Sequence, residues 1–61
     1  MEYKNFTGSV EFSKDDNLFF GKVLGIRALL SYEGSTLSDL EQAFHSVVED
    51  YIAFSKSQAV D

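Results

Sequence analysis

The stretch Tyr32-Glu33-Gly34-Ser35-Thr36-Leu37-Ser38-Asp39-Leu40 decides the fold, because the hydrophobic period changes inside it. Before it, Ala28, Leu30 and Tyr32 stand two residues apart, the spacing of a strand with one buried face. After it, Leu37, Leu40, Phe44, Val47, Val48 and Tyr51 recur at steps of three and four. That spacing lays one apolar stripe along an amphipathic helix of about five turns. The junction carries its own punctuation. Gly34 is expected to take a positive φ at the strand exit. Thr36 and Asp39 have the form of a capping box, with Asp in place of the usual Glu or Gln. Asp39 and Glu41 sit near the positive end of the helix dipole. From Ser55 to Asp61 the pattern lapses, and the helix is expected to fray there.

Working back from the junction, Phe6, Gly8, Val10 and Phe12 alternate with Thr7, Ser9, Glu11 and Ser13, which predicts a half-buried strand over 6–13. Lys14-Asp15-Asp16-Asn17 is a cluster of turn formers. Leu18-Phe19-Phe20-Gly21-Lys22-Val23 is the second strand of the resulting hairpin. Gly25 offers the next turn, and Ala28 to Tyr32 the third strand. The order β-β-β-α predicts an α+β fold: a three-stranded antiparallel sheet with one helix packed on one face. The 61 residues leave room for a single domain, 1–61.

A chain this short buries only about 60% of its unfolded surface. Small folds of this kind are usually helped by a disulfide, a metal or an oligomer. The chain has no cysteine and one histidine. Disulfides and thiolate metal sites are therefore excluded, and a homo-oligomer or a bound partner is the expected help. Ten acidic residues against five basic ones give a formal charge of −5. Such a surface repels nucleic acid, whose phosphates are met by Lys and Arg. It attracts a basic partner. Met1-Glu2-Tyr3-Lys4-Asn5 has no apolar signal core. No apolar run approaches the roughly 20 residues needed to cross a membrane. A cytoplasmic location is expected, which deprives the sequon Asn5-Phe6-Thr7 of its use.

The residues that could carry chemistry do not converge. Glu41, His45 and Glu49 stand four apart on the helix, but tight metal sites draw ligands from more than one element, so a solvated face is the reading taken. Glu11, Asp15, Asp16 and Glu33 lie on or near strands, where two-metal nucleases keep their carboxylates. Asp15 and Asp16, however, fall in a turn and suit turn chemistry. Serine nucleophiles need a base and an orienting group, and the sole histidine rides a polar helix face. Gly21-Lys22-Val23-Leu24-Gly25 lacks the spacing of a nucleotide motif. No catalytic residue, metal or cofactor is expected.

The far face of the sheet is more informative. With Phe19, Gly21 and Val23 toward the helix, Leu18, Phe20 and Lys22 face away, and Leu29 falls on the same side. Apolar residues there suggest an interface beyond ordinary scattered exposure. The short edge strands could also pair with a partner strand.

Tyr3-Lys4-Asn5-Phe6-Thr7-Gly8-Ser9-Val10-Glu11-Phe12-Ser13 and Phe19-Phe20-Gly21-Lys22-Val23-Leu24-Gly25-Ile26 resemble the opening of the HicB antitoxin family. Leu29-Leu30-Ser31-Tyr32-Glu33-Gly34-Ser35-Thr36 is similar to the family's third strand and the start of its helix. Leu40-Glu41-Gln42-Ala43-Phe44 and Val48-Glu49-Asp50-Tyr51 continue the likeness, which covers about residues 3 to 54. The chain departs from the family at Ala28, where relatives usually carry Asp. The resemblance implies a partial ribonuclease H-like fold without activity. It further implies binding to a small basic HicA-type toxin, an mRNA-cleaving ribonuclease whose active site the antitoxin covers. Relatives add a C-terminal DNA-binding domain. None is expected within these 61 residues, so neither is direct nucleic-acid or membrane binding. The expected partner surface is Phe20, Leu29, Glu11, Glu33, Asp15 and Asp16. Its apolar members would supply buried area, and its carboxylates would meet toxin lysines and arginines. The alternative is a self-associating regulatory module that uses the same face without a toxin.

Overall fold

The computed structural model describes residues 1–58. It is an α+β fold of one antiparallel sheet and one helix. The strands are β1 (Glu2–Tyr3), β2 (Phe6–Gly8), β3 (Glu11–Ser13), β4 (Leu18–Leu24) and β5 (Ser31–Gly34), followed by α1 (Leu37–Gln58). The expected three strands are thus five. One reason is a break in the first strand, and the other is a strand added before it.

The break lies at Ser9-Val10. Both halves pair with one edge of β4 in a single register, with Gly8 opposite Val23 and Glu11 opposite Phe20. No residue has been inserted. The Ser9 N–H still donates to the Lys22 carbonyl at 3.0 Å. The return bond is diverted: the Lys22 N–H donates to the Ser9 hydroxyl oxygen, also at 3.0 Å. The Ser9 carbonyl instead accepts from the Tyr32 hydroxyl at 2.8 Å. This accounts for Gly21. A Cβ there would lie 1.9 Å from the Ser9 carbonyl oxygen, a backbone atom that cannot swing aside. The strand is interrupted because a buried phenol must find an acceptor.

The added strand is β1. It pairs with β2 through Glu2 opposite Thr7 and Tyr3 opposite Phe6. Lys4 and Asn5 make the two-residue turn, with φ of 50° and 70°. Two positive φ values define the type I′ hairpin, whose twist matches that of its strands. Asn17 closes the β3–β4 turn at φ 52°, a conformation that Asn tolerates better than most residues.

On its other edge β4 pairs with β5, Phe20 opposite Glu33 and Gly21 opposite Tyr32. The expected strand 28–32 sits later, at Ser31–Gly34. Gly25, at φ 75°, begins the connection to it. Gly34 is not at positive φ, contrary to expectation. It is needed for close approach, since a Cβ there would lie 2.5 Å from the Leu40 amide nitrogen.

The Thr36 half of the expected capping box is present, without a return bond from the Asp39 carboxylate among the described residues. The Asp39 N–H donates to the Thr36 hydroxyl oxygen at 3.0 Å and the Leu40 N–H to the Thr36 carbonyl at 2.9 Å. The helix does not fray at Ser55 but continues to Gln58, and the remainder of the expected frayed segment lies outside the described residues. Leu40, Phe44 and Val48 are fully buried and meet Val23 and Tyr32 to form the core. The Phe44 and Tyr32 rings lie 5.2 Å apart. Val47 and Tyr51 flank this stripe, while Leu37, assigned to it from spacing, is 57% exposed. Truncating a core residue of this size to Ala costs about 2–5 kcal/mol.

Candidate functional site: the outer face of the sheet

The helix covers the face of the sheet that carries Val23 and Tyr32, so no element among the described residues covers the opposite face. Residues directly opposite in neighbouring strands share a face. The registers of β3, β4 and β5 therefore put Glu11, Phe20 and Glu33 in one row across the outer face. A phenyl ring stands between two carboxylates, with neighbouring Cβ atoms about 5 Å apart. All three residues are exposed. Next to this row, Leu18 faces Ser13 and Lys22 faces Ser31.

The row borders a shallow depression of about 390 Å³ lined by Ser13, Asp16, Leu18, Phe20, Ser31 and Glu33. Asp16 is drawn into it by the turn. The Ser13 hydroxyl donates to the Asp16 carboxylate and accepts from the Asp16 N–H, both at 3.4 Å. Of the six expected partner-binding residues, Glu11, Phe20, Glu33 and Asp16 come together here. Asp15 is exposed in the same turn but does not line the depression. Leu29 is 86% exposed and stands apart, before the start of β5. Lys22, not among the expected residues, neighbours Glu11 and Glu33 diagonally. Alternation along β4 was enough to find it, since it shares the parity of Phe20.

Of the helical trio, His45 and Glu49 engage partners of another kind, and Glu41 is exposed. The Tyr3 hydroxyl donates to Glu49 Oε2 at 2.5 Å, and Lys4 Nζ reaches the same oxygen at 2.8 Å. The Tyr3 ring stacks on His45 at 3.9 Å, with the planes 20° apart. Hydrogen bonds from Lys4 and then from Tyr3 hold the Glu49 carboxyl below its ordinary range. The same contacts raise Tyr3 and Lys4 above theirs, the hydrogen bond to Glu49 being the main cause in each. This cluster fastens the β1–β2 hairpin to the helix. Among the described residues no three His, Asp or Glu side chains are placed to share an ion.

No helix among the described residues is long and apolar enough to cross a membrane. No protein-family model matches the chain, and neither a curated protein nor a solved structure matches it significantly.

Proposed function

We propose that this chain is a toxin-binding domain of the HicB-like antitoxin type, which docks a small basic HicA-type ribonuclease and masks its active site. The observation that carries this reading is the exposed row Glu11–Phe20–Glu33 beside Asp16. It combines an aromatic anchor with flanking carboxylates on a chain of net charge −5. Aromatic residues in desolvated pockets dominate binding energy, while surrounding charges speed encounter and select partners. Masking requires no catalytic group on this chain, and the proposed domain is not itself an enzyme.

The test is co-expression with a HicA-type toxin, scored by co-purification and by rescue of growth. A stable complex with rescue is expected. Phe20→Ala is expected to weaken the complex at least tenfold, or about 1.4 kcal/mol, with the fold intact because Phe20 lies outside the core. Unchanged affinity would remove Phe20 from the site, and absence of any complex with the folded chain would sink the reading.

A further inference from the structure

The free edge of β3 carries an inference independent of the toxin reading. In an antiparallel pair, alternate residues bond the neighbouring strand, and those between them point away. Ser9 bonds Lys22 of β4, so Glu11 and Ser13 point toward β4 as well. The N–H and C=O of Phe12 point outward. Among the described residues nothing occupies them. β1 protects only the β2 half of this edge, its last backbone bond being between Met1 and Gly8 at 2.7 Å. The window 9–13 is left open.

The same strand is uncovered on its helix side. α1 lies over β5 and β4, leaving Val10 at 45% and Phe12 at 47% exposure. Among the described residues the Phe12 ring has one aromatic neighbour, Phe19, at 4.8 Å. Natural sheets usually protect such an edge with inward charges, Pro or a covering loop. The whole chain exposes 4515 Å², against about 4000 Å² for a folded monomer of its 6.8 kDa mass. A specific dimer hides about 800 Å² per partner.

We propose that β3 pairs with β3 of a second copy, antiparallel about a two-fold axis through Phe12. Phe12 then bonds Phe12 of the partner subunit in both directions, and the two sheets join. The register places Glu11 opposite Ser13 in the other copy, and no like charges stand directly opposite. Val10 and Phe12 of both copies meet on the helix side, where each is about half exposed in the single chain. The contact is isologous and closes at two.

Register makes the test specific. Glu11 and Ser13 of the two copies form a non-hydrogen-bonded pair with Cα atoms about 4.5 Å apart, within disulfide reach. The chain has no cysteine of its own. A mixture of Glu11→Cys and Ser13→Cys chains is expected to form a covalent heterodimer on mild oxidation, while each variant alone cross-links at least tenfold less. Wild-type chain is expected to sediment at twice 6.8 kDa. Phe12→Lys is expected to return it to the monomer mass with its helical circular dichroism unchanged. A wild-type monomer at millimolar concentration, or cross-linking of the single variants as efficient as of the mixture, overturns the proposal.

Discussion

At the scale of single residues, Tyr32 has the widest influence. Its ring packs on Phe44 in the core, while its hydroxyl reaches across Gly21 on the helix-facing side of the sheet to the Ser9 carbonyl. Burial raises the Tyr32 phenol above its ordinary pKa, so the proton that makes this bond is held more firmly than in the unfolded chain. Gly21 makes room for the carbonyl. Gly21→Ala is therefore expected to destabilise the fold by about 3 kcal/mol, seen as a lower midpoint in urea. A loss below about 0.5 kcal/mol would show that the Ser9 peptide can turn away without cost. Such a detail was hidden in the sequence. The alternation over 6–13 is regular, and nothing in it reveals that one peptide within the strand serves a side chain on another.

At the scale of elements, two contacts fasten the ends of the sheet to the helix. Thr36 caps the helix through its hydroxyl, and Thr36→Ala should cost about 1 kcal/mol, measured by thermal or urea unfolding. An unchanged midpoint would mean that water replaces the cap fully. At the other end, Tyr3 and Lys4 converge on Glu49. The Glu49 carboxyl titrates lower in the folded chain, so it contributes stability above its unfolded pKa, and this is lost as pH falls through the folded value. Tyr3 and Lys4 titrate higher when folded, so their contribution is present below about pH 10 and fades above it. Glu49→Gln is expected to bring the Tyr3 phenol back toward its ordinary titration, followed by ultraviolet absorbance. A Tyr3 midpoint indifferent to this change would show that the hydrogen bond is not what raises it.

Legibility in the sequence follows the same division. The change of period near Gly34, the Thr36 cap and the Phe6-to-Val23 hairpin were readable because each rests on local spacing. The face carrying Phe20 followed from strand parity alone. The β1 hairpin was not readable, because its turn uses Lys4 and Asn5 where a type I′ turn ordinarily signals itself with Gly. Leu37 was misassigned because spacing continues a stripe past the point where the sheet beneath it stops.

At the scale of the whole molecule, the chain sorts its surface into unlike parts. The outer face is acidic around one phenyl ring, the β3 edge is apolar, and the helix runs past the sheet to expose Phe54. The molecule spans 44 × 19 × 17 Å, and a helix of 22 residues is about 33 Å long, so the long dimension follows the helix. If carboxylates guide the proposed basic partner, raising salt from about 50 to 500 mM should slow association by roughly tenfold or more and change dissociation much less. Stopped-flow mixing separates the two rates. An association rate indifferent to salt would leave Phe20 and its apolar surroundings as the sole determinants of docking.

The Tyr32 hydroxyl also shapes how this sequence can drift. A Cβ on Gly8 would lie 2.2 Å from that hydroxyl and 2.7 Å from the Phe44 ring, while one on Gly21 meets the Ser9 backbone first. Tyr32→Phe would remove the first obstacle to alanine at position 8 and leave the Phe44 ring, and it would also release the Ser9 carbonyl that bars a side chain from position 21. Both glycines are thus contingent on one hydroxyl far from them in the sequence. In a library of variants, positions 8 and 21 should both show epistasis with position 32, position 8 the weaker because the Phe44 ring remains in its way.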